Sequence, residues 1–236
     1  MRATNFFLTL ISALLLVTPV ALAANLIITD PVSATVNGVQ VIDLGVVGPG
    51  QKLELIAGVD AAYYQNDIIA AIIVCDYKTM SVSKKVFAAV NIKVPYLKGF
   101  LAYREGPVIS EAYAKLKNKP DIMLFDGNGI LHPRKCGLAS HMGVLLDIAS
   151  IGIAKHLLIG EIKGNKVYVD NEARAELVVT REHSKPIYIS PGHKISLATS
   201  VEIVKNCTRF PHKLPEPLHL AHRYANEVKE KITKGE

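Results

Sequence analysis

Short unbroken apolar runs and longer amphipathic stretches alternate along this chain. Leu53 to Asp60 reads as a strand ending in an acid, Ile68 to Cys75 as a buried apolar strand, and Ser83 to Ile92 as a strand with β-branched alternation. Short links between the three predict an antiparallel meander. Ile122 to Phe125 stops at Asp126-Gly127-Asn128-Gly129, which predicts a buried strand delivering a carboxylate to a turn. After Gly137 the spacing becomes helical, with Leu138, Met142, Leu145 and Leu146 on one face; Ile148 to Ala154 then predicts a strand with Lys155 at its tip. Strand, helix and strand within about 30 residues form a parallel crossover, and crossovers gather their strand ends at one sheet edge, where ligands bind. The pattern therefore predicts a mixed sheet with Asp126 and Lys155 side by side.

The remaining elements frame that unit. Tyr103 to Pro107 reads as a loop before a helix from Val108 to Leu116, with Pro107 in the first turn and Glu105 at the helix start. Lys163 to Val179 predicts two short strands around Gly164-Asn165 and Asp170-Asn171. Ile187 to Ser190 reads as a strand entering Pro191-Gly192-His193, followed by a helix from Ser196 to Lys205. A last helix, Leu218 to Ile232, starts behind Pro217 and carries His222. Residues 29–52 are rich in Pro, Gly and polar residues and predict a connector with one short strand. Phe6 to Ala23 is apolar and ends at Ala21-Leu22-Ala23-Ala24, which resembles a signal-peptide cleavage site. A buried N-terminal helix continuing to Ile28 and a wrongly assigned start codon are the competing explanations. The expected division is an N-terminal segment with connector, 1–52, and a compact domain, 53–236.

Composition narrows the chemistry. Half of the 236 residues are hydrophobic, enough for a full core, and a formal charge of +6 favours an anionic partner, nucleic acid first. Cys75, Cys136 and Cys207 are widely spaced with no Cys-x-x-Cys, so neither a disulfide framework nor a zinc site is indicated. Four acids stand where apolar pattern gives way: Asp60, Glu105, Asp126 and Asp147. An Asp at a strand end is more often a turn-former or helix cap, and Asp147 reads that way, ending its helix. Asp60 and Asp126, if their strands are neighbours, converge and repel, and a hard cation such as Mg²⁺ or Mn²⁺ offsets that repulsion. Glu105 would complete an oxygen-rich site. Among the histidines, His132, close after the glycine turn, and His222, on the last helix, are the candidates. Carboxylates, a lysine and a basic surface point to phosphodiester hydrolysis, in which a metal activates water and Lys155 stabilises charge on the phosphate. A structural salt bridge is the alternative for Asp126 and Lys155.

These residues sit in blocks that resemble endonuclease V, the nuclease family acting on deaminated purines: Ala57 to Tyr63, Pro95-Tyr96 with Gly99 to Pro107, Asp126 to Gly129 with Leu131 to Arg134, Gly137 to Val144, Ile151 to Lys155, Ser190 to His193, and Leu214 to Pro217 with Leu220 to His222. The resemblance implies an α/β, ribonuclease H-like fold, a mixed five-stranded sheet flanked by helices. It implies metal-binding Asp60 and Asp126, a catalytic Glu105, an active-site Lys155, His222 near the metals and His132 near the scissile bond. It further implies a wedge at Tyr96, which fills the gap left by an extruded base, and a base pocket at Gly99, Leu101, Gly127 and Gly137. The family's Pro-Tyr-Ile-Pro wedge here reads Pro95-Tyr96-Leu97-Lys98, which removes a rigid proline and adds a phosphate-binding cation. The implied activity is Mg²⁺-dependent cleavage, with Mn²⁺ as substitute, of the second phosphodiester 3′ to deoxyinosine in DNA. Inosine in RNA is the alternative substrate, and a non-catalytic binder of damaged nucleic acid the alternative class. A cytoplasmic monomer without an obligate protein partner is expected, with export open if the N-terminus is a true signal.

Overall fold

The computed structural model describes residues 26–30, 33–36, 39–42, 47–48, 52–92, 95 and 97–235, the first three stretches as backbone only. The apolar segment Phe6 to Ala23 and Tyr96 lie outside the described residues. Strands β1 (Leu26–Asp30), β2 (Ser33–Val36) and β3 (Val39–Ile42) form a small antiparallel sheet. This differs from the single strand that the sequence predicts there, and from a helix reaching Ile28. The local signal for the sheet is Asn37-Gly38 between Val36 and Val39, a dipeptide that favours hairpins.

The main sheet contains β4 (Leu55–Tyr64), β5 (Asp67–Asp76), β6 (Val82–Asn91), β7 (Ile122–Asp126), β8 (Ala149–Ala154), β9 (Glu161–Lys163), β10 (Lys166–Val169), β11 (Glu172–Val178) and β12 (Ile187–His193). Its order is β6-β5-β4-β7-β8-β12-β11-β10-β9. The meander β4-β5-β6 is antiparallel, and β4, β7 and β8 run parallel, as the pattern required. Those five strands are the expected mixed sheet, and an antiparallel extension of four continues it beyond β8. Among the described residues four helices cover the sheet: α1 (Leu101–Ala114), α2 (Leu138–Leu146), α3 (Leu197–Cys207) and α4 (Glu216–Lys234). One apolar cluster joins α1 and α2 to one face, through Val59, Ile72, Phe125, Ile109 and Met142. Another joins α3 and α4 to the opposite face, through Ile56, Ile73, Leu124, Val204 and Leu218. β5 lies between them and is buried from Ile68 to Cys75, so its sequence is continuously apolar rather than alternating.

Three boundaries differ from expectation. β4 continues four residues past Asp60 to Tyr64, because Ala61 to Tyr64 pair in register with Asp67 to Ala70 of β5. α1 begins at Leu101, so Pro107 is interior and Glu105 lies in the second turn rather than at the start. The burial of Ala102, Glu105, Gly106 and Ile109 along one face offsets the cost of the missing proline donor. β12 runs through Pro191-Gly192 to His193, shifting register against β8 between Pro191 and His193.

Candidate active site

Strand register places the acids. Val59 pairs with Phe125 at the end of the parallel β4–β7 ladder, so Asp60 and Asp126 follow as neighbours on adjacent strands. Parallel strands lie about 4.8 Å apart. Asp126 in turn pairs with Ile153 of β8, and Lys155, two residues on, falls on the same face; its Nζ lies 2.5 Å from Asp126 Oδ2. Val59 and Phe125 pack under α1 and α2, so Asp60, Asp126 and Lys155 belong to the α3–α4 face.

α4 closes that face. A Cβ on Gly58 would lie 2.1 Å from the carbonyl oxygen of Pro217, so only glycine lets the first turn of α4 press on β4. That contact fixes the helix just before His222, whose Nδ1 lies 2.6 Å from Asp60 Oδ2. The carboxylate favours the proton on Nδ1, and Asn226 Nδ2 lies 3.4 Å from Nε2. The other oxygen of Asp60 accepts from the Ala61 N–H at 2.8 Å.

Glu105 reaches the same edge from α1. It is 7% exposed and accepts a hydrogen bond from Tyr63 Oη, while the Arg104 guanidinium lies 5.0 Å from the Tyr63 ring. Burial, with the negative charges of Asp60 and Asp126, pushes its carboxyl up to about 7, against the Tyr63 bond and Arg104. Burial and then Asp126 likewise raise Asp60, against His222 and the Ala61 N–H. Burial works to discharge Lys155, but Asp126 and Asp60 outweigh it and hold its pKa above the ordinary lysine value. Three carboxylates thus feel one another at one sheet edge. Among the described residues no three His, Cys, Asp or Glu side chains form a ready metal cage. Their oxygens are taken up by Tyr63, Lys155 and His222 instead.

Beside the acids, a cavity of about 160 Å³ is lined by Gly99, Leu101, Gly127, Asn128, His132 and Gly137 among others. A cavity of about 150 Å³ can take a benzene-sized ring, so this one suits a flat heterocycle. Gly99 adopts φ +81°, a conformation glycine enters without strain, and its carbonyl accepts from Arg134 Nη2. His132 is buried in the cavity wall, where Arg134 N donates to its Nδ1 at 3.2 Å. Burial, then Arg134, lowers its pKa, against a bond to the Gly99 backbone. These partners belong to the cavity wall.

Several participants escaped the sequence reading. Tyr63 lies beyond the expected end of β4. Asn128, in the glycine turn, has a buried Oδ1 with no hydrogen-bond partner and lines the cavity. Arg174 of β11 is 2% exposed and holds the cavity wall from behind, donating to His132 O at 3.4 Å. A polar residue flanked by Ala173 and Ala175 in a strand signalled that buried role only weakly.

A family model described as Endonuclease V matches residues 44–223. The Endonuclease V of Dictyoglomus thermophilum is 41% identical over 195 residues, covering 79% of this chain and 85% of that protein. The crystal structure of Endonuclease V from Bacillus subtilis matches with a TM-score of 0.73 at 36% identity, over 78% of this chain and 84% of that one. The crystal structure of Ciona intestinalis Endonuclease V, in complex with a 24mer DNA containing an inosine followed by a ribo-adenosine, matches with a TM-score of 0.70 at 31% identity, over 77% of this chain and 88% of that one.

Proposed function

The chain belongs to the endonuclease V family, a family of nucleases, and we propose that it hydrolyses the second phosphodiester 3′ to deoxyinosine, leaving 3′-hydroxyl and 5′-phosphate ends. The observation that carries this reading is the convergence of Asp60, Asp126 and Glu105 with Lys155 at one sheet edge, next to a cavity sized for a flat base. The donor set fits a divalent cation by charge and chemistry: hard carboxylate oxygens, two of whose groups are pushed up by their negative neighbours, are the ligands Mg²⁺ prefers, and Mn²⁺ accepts the same set. Asp60, Asp126 and Glu105 would hold it, with His222 orienting Asp60. A bound cation supplies an activated water and neutralises charge at the phosphate.

The chain's own residues do the rest. Lys155, kept charged by its carboxylate neighbours, is poised to stabilise charge on a phosphate oxygen. Tyr63 orients Glu105 through its hydroxyl. The cavity takes the extruded base, and Asn128, whose buried Oδ1 lacks a hydrogen-bond partner, lines it. Tyr96 is the proposed wedge, and His132 a wall of the pocket near the scissile strand. That the Ciona relative was crystallised with inosine-containing DNA supports the substrate. The reading implies a monomer acting on cellular nucleic acid in the cytoplasm.

A labelled oligonucleotide with one inosine, incubated with the protein and Mg²⁺, tests it. We expect one nick at the second phosphodiester, lost on adding chelator and slowed at least about 10²–10³-fold in Asp126→Asn. Binding without a nick would turn the assignment to a non-catalytic reader of damaged strands. Cutting of the RNA counterpart in preference to DNA would make it an endoribonuclease.

A further inference from the structure

The loop between α3 and α4, residues 208–215, carries Arg209-Phe210-Pro211-His212-Lys213. Phe210 is 92% exposed, more than any other large apolar side chain among the described residues. The backbone presenting it is braced. Thr208 and Pro215 form a bridge across the base of the loop, Thr180 Oγ1 donates to Lys213 O at 2.6 Å, and His212 N donates to Arg209 O at 2.8 Å. The His212 ring bonds Glu216 at 2.7 Å and stacks on His219 at 3.7 Å between centroids. A fixed loop therefore holds an aromatic ring in water, covering nothing.

Arg209 and Lys213 lie on the same loop. Burial, then the charges of Lys155, Lys185 and Arg181, press the Lys213 pKa below the ordinary lysine value, so all three lie within electrostatic reach of Lys213. Arg181 Nη1 approaches Pro211 O at 3.5 Å. Among the described residues neither Lys185, Lys213 nor Arg181 has an ion-pair partner, and the neighbouring acid Glu182 lies 3.5 Å from His183. Glu216 is engaged by His212 and Asp126 by Lys155, so Lys185, Lys213 and Arg181 repel without an ion-pair partner among the described residues, and an anion relieves them. Because Lys155 also contacts Asp126, the strip begins at the acid cluster and leads away from it.

We propose that this loop and strip bind one unpaired strand of nucleic acid beside the cut, with Phe210 stacking on a base and Lys185, Lys213 and Arg181 neutralising backbone phosphates. An aromatic platform beside a basic track is how single strands are held without sequence preference. The inference rests on the nuclease reading for which strand is bound, not for the chemistry of binding.

The test is fluorescence anisotropy with a labelled, inosine-free oligonucleotide, single-stranded or as a blunt duplex, in chelator so that nothing is cut. Phe210→Ala should weaken single-strand binding about 5- to 150-fold while duplex binding changes less than about twofold. Phe210→Tyr should restore it. Lys185→Gln with Lys213→Gln should lower the slope of log affinity against log salt by about 0.7 for each phosphate that is no longer neutralised. Unchanged melting of Phe210→Ala would show that folding is not what was lost. Wild-type affinity in Phe210→Ala, or Phe210→Leu binding as well as Phe210→Tyr, overturns the proposal. A wild-type protein that nicks no inosine substrate yet needs Phe210 to bind single strands would remove the nuclease reading and leave this one standing.

Discussion

Glu105 carries the clearest pH signature. Its carboxyl titrates near 7 in the fold against an ordinary value of 4.5, so between those limits the folded state holds a proton that the unfolded chain releases. Stability from that proton is present below 4.5 and lost as pH rises through 7. In chelator, wild type should therefore lose melting temperature relative to Glu105→Gln over this window, with little difference at its acid end. A divalent cation should narrow the gap by favouring the ionised acid. Equal pH profiles for the two proteins would mean that Glu105 is not held protonated. The Asp126 and Lys155 pairing was legible in the sequence, because strand periodicity alone puts a residue two past a partner on the same face. Tyr63 was not, since nothing local shows a strand running past its acid; only pairing with β5 extends it. Arg174 was hidden because the cavity wall that it holds, through His132 O, lies 42 residues away, and Asn128 because only the folded chain closes a cavity around it.

At the level of strands and helices, the seat of His222 depends on a missing side chain. Gly58→Ala would force its Cβ against the Pro217 carbonyl, and rigid backbone must yield. We expect a cost of about 1–3 kcal/mol in denaturant unfolding, together with weaker divalent-ion binding and slower cleavage although no acid is changed. Destabilisation without loss of ion affinity would show that α4 does not position the site. The sequence pattern located α2, α3 and α4 well because each has an apolar stripe and a recognisable end: Asp147 takes a left-handed conformation after α2, and Ser196 caps α3 by accepting from Thr199 N. It misplaced the start of α1, because Pro107 is a strong start signal and the burial that overrides it is tertiary.

Taken entire, the molecule is a ribonuclease H-like α/β protein whose five-stranded core was readable and whose extension was read in part, as the strand from Ile187 and two of the three short strands before it. Strands β9 to β11 are short and partly exposed, so they lack the long apolar runs that announced the others. The packed body also reaches back to Val47, which is 4% exposed and whose N–H donates to Lys194 O at 2.9 Å. Val47→Ala should cost about 2 kcal/mol of unfolding free energy, and a negligible cost would detach this residue from the core. Finally, Asp60 and the histidine that meets it lie 162 residues apart, with the last helix supplying the latecomer. A chain still leaving the ribosome thus carries both aspartates long before the part that seats one of them, and the cluster of acids is completed only once that helix has emerged.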